Sequence, residues 1–91
     1  MAKELEFHYD AGHGWLRVDM ASLSAAGLRI GDFSKFSYRK GDFIYLEEDC
    51  DAGKFDACAR ARGFAFTVRE VSDGNSSPIR NYARIIPGLA A

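Results

Sequence analysis

The 91-residue chain has only two cysteines, Cys50 and Cys58, and it has no long apolar run. Two cysteines are too few for a disulfide scaffold, and no stretch approaches the roughly 18 apolar residues that a membrane helix needs. The N-terminal residues MAKELEF carry charged side chains where a secretory signal segment would be apolar. We therefore expect a cytoplasmic protein with reduced thiols and no membrane association.

The sequence also lacks the short motifs that mark common catalytic sites. It contains no G-x-S-x-G, no phosphate-binding loop and no dinucleotide fingerprint. Cys50 lies among carboxylates that should raise the pKa of its thiol, and Cys58 falls on the expected buried side of a helix, so neither suits a nucleophile. We expect no enzymatic activity and no cofactor.

The composition instead predicts a small folded domain. Hydrophobic residues make up 47% of the chain, and seven Phe and four Tyr provide enough aromatic area for a core without disulfides or metals. We predict a single domain over residues 1–91, with an ordered core over about residues 4–86 and a frayed tail over residues 87–91.

Two segments of the chain share the pattern F-x-Y-x-x-G, the first beginning at Phe7 and the second at Phe36. Around the first, Leu5, Phe7 and Tyr9 alternate with polar residues, which is typical of a strand with one buried face. In both segments the glycine suits a turn and an apolar stretch follows, so each predicts a β-hairpin. Either an internal duplication or ordinary reuse of turn chemistry explains the repeat, and under both explanations its residues serve the scaffold.

Each hairpin is followed by signals for a short helix. Asp19 is suited to cap a helix that ends at Gly27, and Asp49 or Asp51 is suited to cap a second helix over residues 52–62 that ends at Gly63.

Two further strands are expected after the second helix. Residues 64–69 predict a fifth strand with Phe64, Phe66 and Val68 facing inward, and residues 79–86 predict a short sixth strand. The resulting order ββαββαββ predicts an α+β two-layer sandwich, in which two short helices cover one face of a mostly antiparallel sheet. The other face should be partly exposed and polar, with Glu6, His8, Asp10, Arg17, Lys35, Ser37 and Arg69 on it.

The segment Glu47-Glu48-Asp49-Cys50-Asp51 concentrates four carboxylates just before the second helix. The helix dipole favours negative charge there, but capping does not require four acidic groups. The surplus could bind a basic surface of another protein, bind a hard cation such as Mg²⁺ or Ca²⁺, or imitate nucleic-acid phosphates. We predict partner-binding residues around this segment, namely Glu47, Glu48, Asp49, Asp51, Tyr45, Trp15 and His13.

Trp15 has two possible placements within that set. It alternates with Leu16 on its strand, so it could stand on the exposed face as an interface anchor. It could equally pack over the hairpin turn.

A metal site is one alternative function. His8, Asp10 and His13 form an H-x-D-x-x-H pattern, and zinc accepts nitrogen and oxygen ligands of these types. A strand places His8 and Asp10 on the same face, and the following turn could bring His13 towards them.

Binding of single-stranded nucleic acid is a second alternative. Arg62-Gly63-Phe64-Ala65-Phe66 matches the first five positions of an RNA-recognition motif, but Thr67 and Arg69 break the pattern further on. The net charge is −1, and the acidic segment would repel a phosphate backbone. Nucleic acid is therefore not the expected partner.

Three strings, YDAGHGWL, YLEEDCDAGKF and SPIRNYAR, resemble segments of short uncharacterised bacterial, phage and plasmid proteins. The resemblance implies no enzymatic activity, cofactor or residue role, but it does imply a mobile-element setting. Small acidic proteins from that setting include inhibitors of host defence, of the anti-CRISPR and anti-restriction type, which occupy a partner's surface. We therefore expect a non-enzymatic protein-binding module, and its open strand edges make a homodimer conceivable.

Overall fold

A computed structural model describes residues 2–88 of the chain. Its strands and helices follow the predicted order ββαββαββ, which confirms the α+β class. Short 3-10 helices at Ile30–Asp32 and Pro78–Asn81 interrupt the connections. The main elements are β1 Lys3–Tyr9, β2 Gly14–Asp19, α1 Met20–Ala25, β3 Tyr38–Lys40, β4 Phe43–Glu47, α2 Ala52–Ala61, β5 Phe66–Ser72 and β6 Ala83–Arg84.

All six strands form one sheet in the order β5-β1-β2-β4-β3-β6. The β1–β5 pair is parallel, and the other four pairings are antiparallel, so the sheet is mostly antiparallel as predicted. The central β2–β4 pairing joins the two hairpins, with Leu16 opposite Leu46 and Val18 opposite Ile44. The two hairpin-helix units therefore lie side by side around this pairing.

The main core lies between one face of the sheet and both helices. Alternate apolar residues of the strands point to this face because successive strand side chains point to opposite sides. Leu23 of α1 and Phe55 of α2 are buried against them. The sheet contributes Leu5, Leu16, Val18, Ile44 and Leu46 to this core.

Both helices end where the sequence predicts. The Asp19 side chain accepts a hydrogen bond from the Ser22 amide at the start of α1. Gly27 and Gly63 follow the two helices with φ values of 75° and 73°, a left-handed conformation that glycine adopts without strain. No helix among residues 2–88 is long and apolar enough to cross a bilayer.

The two F-x-Y-x-x-G segments have different local structures. Gly41 has a φ of 59° in the second hairpin turn, whereas Gly12 has no such conformation and its amide donates to the Asp10 side chain. Phe7 packs against the main core, whereas Phe36 is 50% exposed. The repeated unit is therefore the hairpin-helix arrangement, and the matching residues are not equivalent within it.

The C-terminal third of the chain departs from the predicted strands. β5 starts later than expected, at Phe66, and Val68 is 48% exposed instead of buried. The predicted sixth strand is mostly absent, since Pro78 begins a 3-10 helix and β6 has only two residues. Of the predicted frayed tail, residues 89–91 lie outside the described residues, and the Gly88 amide donates to the Gly31 carbonyl over 2.8 Å.

A substitution at Gly14 measures how tightly the first hairpin packs around the Phe7 ring. A Cβ atom at this position would lie 2.6 Å from Cε2 of Phe7 and closer still to Cζ. Gly14→Ala should therefore lower the free energy of unfolding by about 1–3 kcal/mol, because the Phe7 ring must move out of its packed position. Urea denaturation measures the difference.

Gly53→Ala is the matched control for this substitution. A Cβ atom at Gly53 meets nothing within 4 Å, and the residue lies in α2. This variant should gain up to about 1 kcal/mol, because alanine restricts the unfolded chain and favours the helix. Equal effects of the two substitutions would contradict the packing described for Phe7.

Candidate functional site

The second face of the sheet carries a smaller buried cluster of Trp15, Tyr38, Tyr45 and Ile79. Ile79 belongs to residues 73–82, which we call the covering segment because they lie over this face. Trp15 points away from Leu16, as the alternation predicts, but only 2% of it is exposed. The prediction of an exposed Trp15 anchor is therefore wrong, and the alternative of packing near the hairpin turn is correct.

Asp10 fastens the covering segment to the first hairpin. Its fully buried carboxylate accepts hydrogen bonds from Arg80 Nε at 2.6 Å and Nη2 at 2.8 Å, and from the Ser77 amide at 2.8 Å. The amides of Gly12 and His13 donate to the same carboxylate at 3.0 Å. The pKa of Asp10 is held well below its usual range, mainly by the hydrogen bonds from Arg80 and next by the hydrogen bond from Ser77.

His8 forms a second attachment between the sheet and the covering segment. Its Nδ1 lies 3.1 Å from Oδ1 of Asp73, and its Nε2 lies 2.9 Å from Oε1 of Glu6. Ser77 Oγ donates to Asp73 over 2.6 Å. The hydrogen bond from His8, aided by nearby arginines and opposed by burial, lowers the pKa of Glu6.

The three residues of the metal alternative have different environments and do not share a site. The Asp10 carboxylate already has five donors, His8 lies between two other carboxylates, and His13 is exposed at the turn. Among residues 2–88, no group of three or more His, Cys, Asp and Glu side chains is arranged to hold a metal ion. The geometry gives the metal alternative no support.

The residues of the nucleic-acid alternative are engaged in internal contacts. Arg69 forms ion pairs with Glu4 and Glu6. Phe64 and Phe66 are partly buried and pack against the main core, as expected for core residues.

We call residues 47–51 the acidic turn, and its four carboxylates divide into two kinds. Glu47 is only 7% exposed, and its carboxylate accepts hydrogen bonds from the Asp49 amide at 2.9 Å and the Cys50 amide at 3.0 Å. The Glu48 amide donates to the Gly14 carbonyl at 3.1 Å, which attaches the turn to β2. Glu47 therefore shapes the turn, and its role in partner binding stays a prediction.

Asp51 is the second inward carboxylate, at 4% exposure. It accepts hydrogen bonds from the Ser34 amide at 3.0 Å, from Ser34 Oγ at 2.7 Å and from Ser37 Oγ. Asp51 precedes α2, but its side chain makes no capping hydrogen bond to the helix. Asp51 therefore occupies the predicted N-cap position, but its side chain joins the start of α2 to residues 34–37 instead of capping the helix. Its role in partner binding stays a prediction.

Glu48 and Asp49 are the outward carboxylates of the acidic turn, and both are exposed. In the described part of the chain, neither side chain forms a hydrogen bond or an ion pair. Tyr45 of the predicted partner site is buried against Tyr82, at a ring distance of 5.2 Å, so it cannot contact a partner directly. The acidic surplus available to a partner is therefore two carboxylates.

A cleft of about 330 Å³ opens beside the acidic turn. Arg80 lies over the Trp15 ring at 5.3 Å, and Arg84 lies over the Tyr38 ring at 5.0 Å, so guanidinium groups cover both aromatic faces. The Trp15 Nε1 group is buried and has no hydrogen-bond partner among residues 2–88. Besides Trp15 and Tyr38, the cleft is lined by His13, Phe36, Glu47, Asp49, Cys50, Arg80 and Arg84.

Phe36, Arg80 and Arg84 belong to this site although no local sequence pattern indicates it. Phe36 falls in a predicted hairpin, and the two arginines resemble ordinary surface residues in sequence. The Ser77-Pro78 pair does favour a helical turn at the observed place. It does not indicate where that turn packs.

Cys50 lines the cleft and is exposed. Partial desolvation of its sulfur and the carboxylates of Glu47, Asp51 and Asp49 raise the pKa of the thiol, as predicted from the sequence. A thiol with a raised pKa is a weak nucleophile at neutral pH.

Comparison with known proteins gives no relative. No protein-family model, curated protein sequence or solved structure matches the chain. The function must therefore be argued from the geometry of this surface.

The division of the acidic turn predicts that two similar substitutions have different effects on the free energy of unfolding. Asp51→Ala should lower the free energy of unfolding by about 2–3 kcal/mol, because it leaves the Ser34 and Ser37 donors without their charged acceptor. Asp49→Ala removes an exposed carboxylate without a partner in the described residues and should stay within about 0.5 kcal/mol of wild type. Similar losses for both variants, measured by urea denaturation, would contradict the division.

The Asp10 contacts predict a specific dependence of stability on pH. Because the folded state lowers the pKa of Asp10, the stabilisation is complete above the unfolded value of about 3.9 and is lost as the pH falls below it. Asp10→Asn should destabilise the protein at neutral pH and flatten the decline of the unfolding free energy below about pH 4. Urea titrations at several pH values test this, with exposed Asp42→Asn as the control that should keep the wild-type slope.

Proposed function

We propose that the protein is a non-enzymatic binding module that engages a basic surface of another protein. Contact is made by the exposed Glu48 and Asp49 and by the rim of the adjacent cleft. One observation carries the proposal: two unpaired outward carboxylates stand on a fixed turn beside the cleft that the half-exposed Phe36 also lines.

The rigidity of the acidic turn favours recognition. Glu47 binds the backbone of the turn, and Asp51 fixes its far end to Ser34 and Ser37. A preorganised surface loses less conformational entropy when a partner binds. The two inward carboxylates therefore support the two outward ones.

Phe36 supplies the apolar part of the surface. Phe36 is half-exposed beside the cleft, and an aromatic residue at the centre of an interface contributes strongly to affinity. His13, from the predicted set, lies on the same cleft and is also exposed. Glu48, Asp49, Phe36 and His13 are accordingly the direct contact residues, and Trp15 and Tyr45 support them from beneath.

The charge distribution around the cleft favours a basic partner over an acidic one. The charge of Arg80 is balanced by its ion pair with Asp10. Arg84 is held over Tyr38 with Nη1 bonded to the Lys35 carbonyl and keeps its charge, so one cation stands near two exposed carboxylates. The charges without internal partners at the acidic turn are negative. Complementary charges accelerate association and select the partner.

A mobile-element inhibitor of a host defence protein is the setting that agrees with this surface. Defence proteins that act on nucleic acids carry basic surfaces for phosphates, and outward carboxylates on a rigid turn can occupy such a surface. The mobile-element setting depends on the resemblance to phage and plasmid proteins. The proposed mode of binding does not depend on that resemblance.

The Glu48→Lys/Asp49→Lys variant tests the proposed surface. It should lose capture of the partner from lysate of the native host, because attraction becomes repulsion, while its melting temperature stays near that of wild type. Quantitative mass spectrometry compares the captured proteins, and the identified partner is then purified for calorimetry with wild type and variant. Wild-type affinity should also fall as the salt concentration rises.

The Asp42→Lys/Asp56→Lys variant is the matched control. It changes the net charge by the same amount at two positions away from the acidic turn, with loss of the exposed Asp56–Arg60 ion pair, and it should keep the partner. Phe36→Ser should weaken binding without changing its salt dependence. Unchanged binding by Glu48→Lys/Asp49→Lys, or equal loss in the Asp42→Lys/Asp56→Lys control, would show that the acidic turn is not the docking surface.

A further inference from the structure

β5 is the terminal strand of the sheet, and its outer edge is the longest open edge in the described structure. It runs for seven residues in an uninterrupted register with β1, from Phe66 opposite Lys3 to Ser72 opposite Tyr9. Within residues 2–88, no other strand pairs with its outer side. Prolines and β-bulges commonly prevent an edge strand from pairing, and β5 contains neither.

The hydrogen bonds to β1 identify which backbone groups of β5 face outward. The Lys3 amide donates to the Ala65 carbonyl, and the Asp73 amide donates to the Tyr9 carbonyl, so the odd-numbered residues bond to β1. The amides and carbonyls of Phe66, Val68 and Glu70 therefore point away from the sheet. These groups form a regular row of donors and acceptors that a second strand can bind.

We propose that this edge binds β5 of a second copy of the chain, antiparallel and centred on Val68. A twofold axis through the centre places Val68 opposite the Val68 of the other copy and joins the two sheets into one of twelve strands. The outward groups of Phe66, Val68 and Glu70 then form hydrogen-bonded pairs across the axis.

The charges of Arg69 and Glu70 disfavour the neighbouring twofold pairings and so favour the one centred on Val68. A twofold pairing centred on Arg69 would place two arginines directly opposite each other, and one centred on Glu70 would do the same with two glutamates, both of which are unfavourable. Centred on Val68, the pairing sets Arg69 opposite Thr67 and Glu70 opposite Phe66. A pairing centred on Thr67 or Val71 would overlap only three residues of β5, against five for the pairing centred on Val68.

An apolar surface next to the edge supports the same occupant. Val68 is 48% exposed, and with Phe7 and Phe66 it lines an open groove of about 260 Å³ between α2 and the sheet. In the proposed pairing, Val68 and Phe66 of the second copy lie on this same face, so the two grooves become one continuous apolar surface. Each copy thus covers the side chain that the other exposes.

The pairing closes as a dimer and leaves the acidic turn accessible. The opposite edge of the sheet is β6, which has only two residues, so growth of the sheet in that direction has little to bind. β1 and β2 lie between β5 and the β4 strand that leads into the acidic turn. A dimer therefore presents two acidic turns, and its formation does not depend on the proposed function.

Val68→Lys is the first test, because it places two like charges at the centre of the interface. Sedimentation velocity over a range of concentrations should show a dimer for wild type and association weakened by about tenfold or more for the variant. Ile86→Lys removes an exposed apolar side chain away from β5 and should leave the dimer unchanged. Thermal denaturation confirms that each variant is folded, and Val68→Thr replaces Val68→Lys if the latter fails to fold.

Cross-linking tests the register. In a Cys50→Ser/Cys58→Ala background, Val68→Cys should form a disulfide-linked dimer under mild oxidation, because opposite residues of a hydrogen-bonded pair have Cα atoms about 5.5 Å apart. Glu70→Cys should not, because the two positions would be separated by more than about 13 Å along the strands.

Three outcomes would overturn the proposal. They are a monomeric wild type at all concentrations, a dimer that Val68→Lys does not weaken, and cross-linking at position 70 in preference to position 68. Loss of partner binding by Glu48→Lys/Asp49→Lys leaves this result unaffected, so the two proposals fail separately.

Discussion

The buried Asp10 carboxylate joins two parts of the chain that are far apart in sequence. It binds the first hairpin turn through two local amides, and it binds Ser77 and Arg80, which lie 67 and 70 residues further on. Asp10 thus holds Arg80 on the cleft and, together with His8 and Ile79, keeps the covering segment over Trp15. Burying a charge is costly without partners, and five donors on a single carboxylate offset that cost.

The acidic turn shows that one residue type can serve two purposes within five positions. Glu47 and Asp51 are turned inward and bind backbone amides and serine hydroxyls, whereas Glu48 and Asp49 face solvent. A count of carboxylates in the sequence cannot separate these roles. The separation depends on Ser34 and Ser37, which reach Asp51 from another part of the chain.

Local patterns were sufficient to predict the first hairpin and both helices, but not the last strand, where Pro78 begins a 3-10 helix. The alternation around Phe7 gave β1, and the positions of Asp19, Gly27 and Gly63 gave the limits of the helices correctly. Patterns of this kind act over a few residues, and so their structural consequences are visible in the sequence.

The burial of Trp15 and the exposure of Val68 were not predictable in the same way. Alternation correctly put Trp15 on the face opposite Leu16, but only the distant Ile79 and Arg80 decide that this face is covered. Val68 alternates like a core residue, yet α2 packs too far from the sheet edge to bury it. Long-range contacts therefore determine which residues of the sheet are exposed and available to form a site.

Trp15 is the single tryptophan of the chain, and it lies where the covering segment meets the first hairpin. Arg80 stacks over its ring, Tyr38 packs against its edge, and its indole nitrogen is shielded from water. Any displacement of the covering segment would admit solvent to the indole ring and change its emission. The molecule therefore contains an intrinsic optical reporter for this region, which needs no added label.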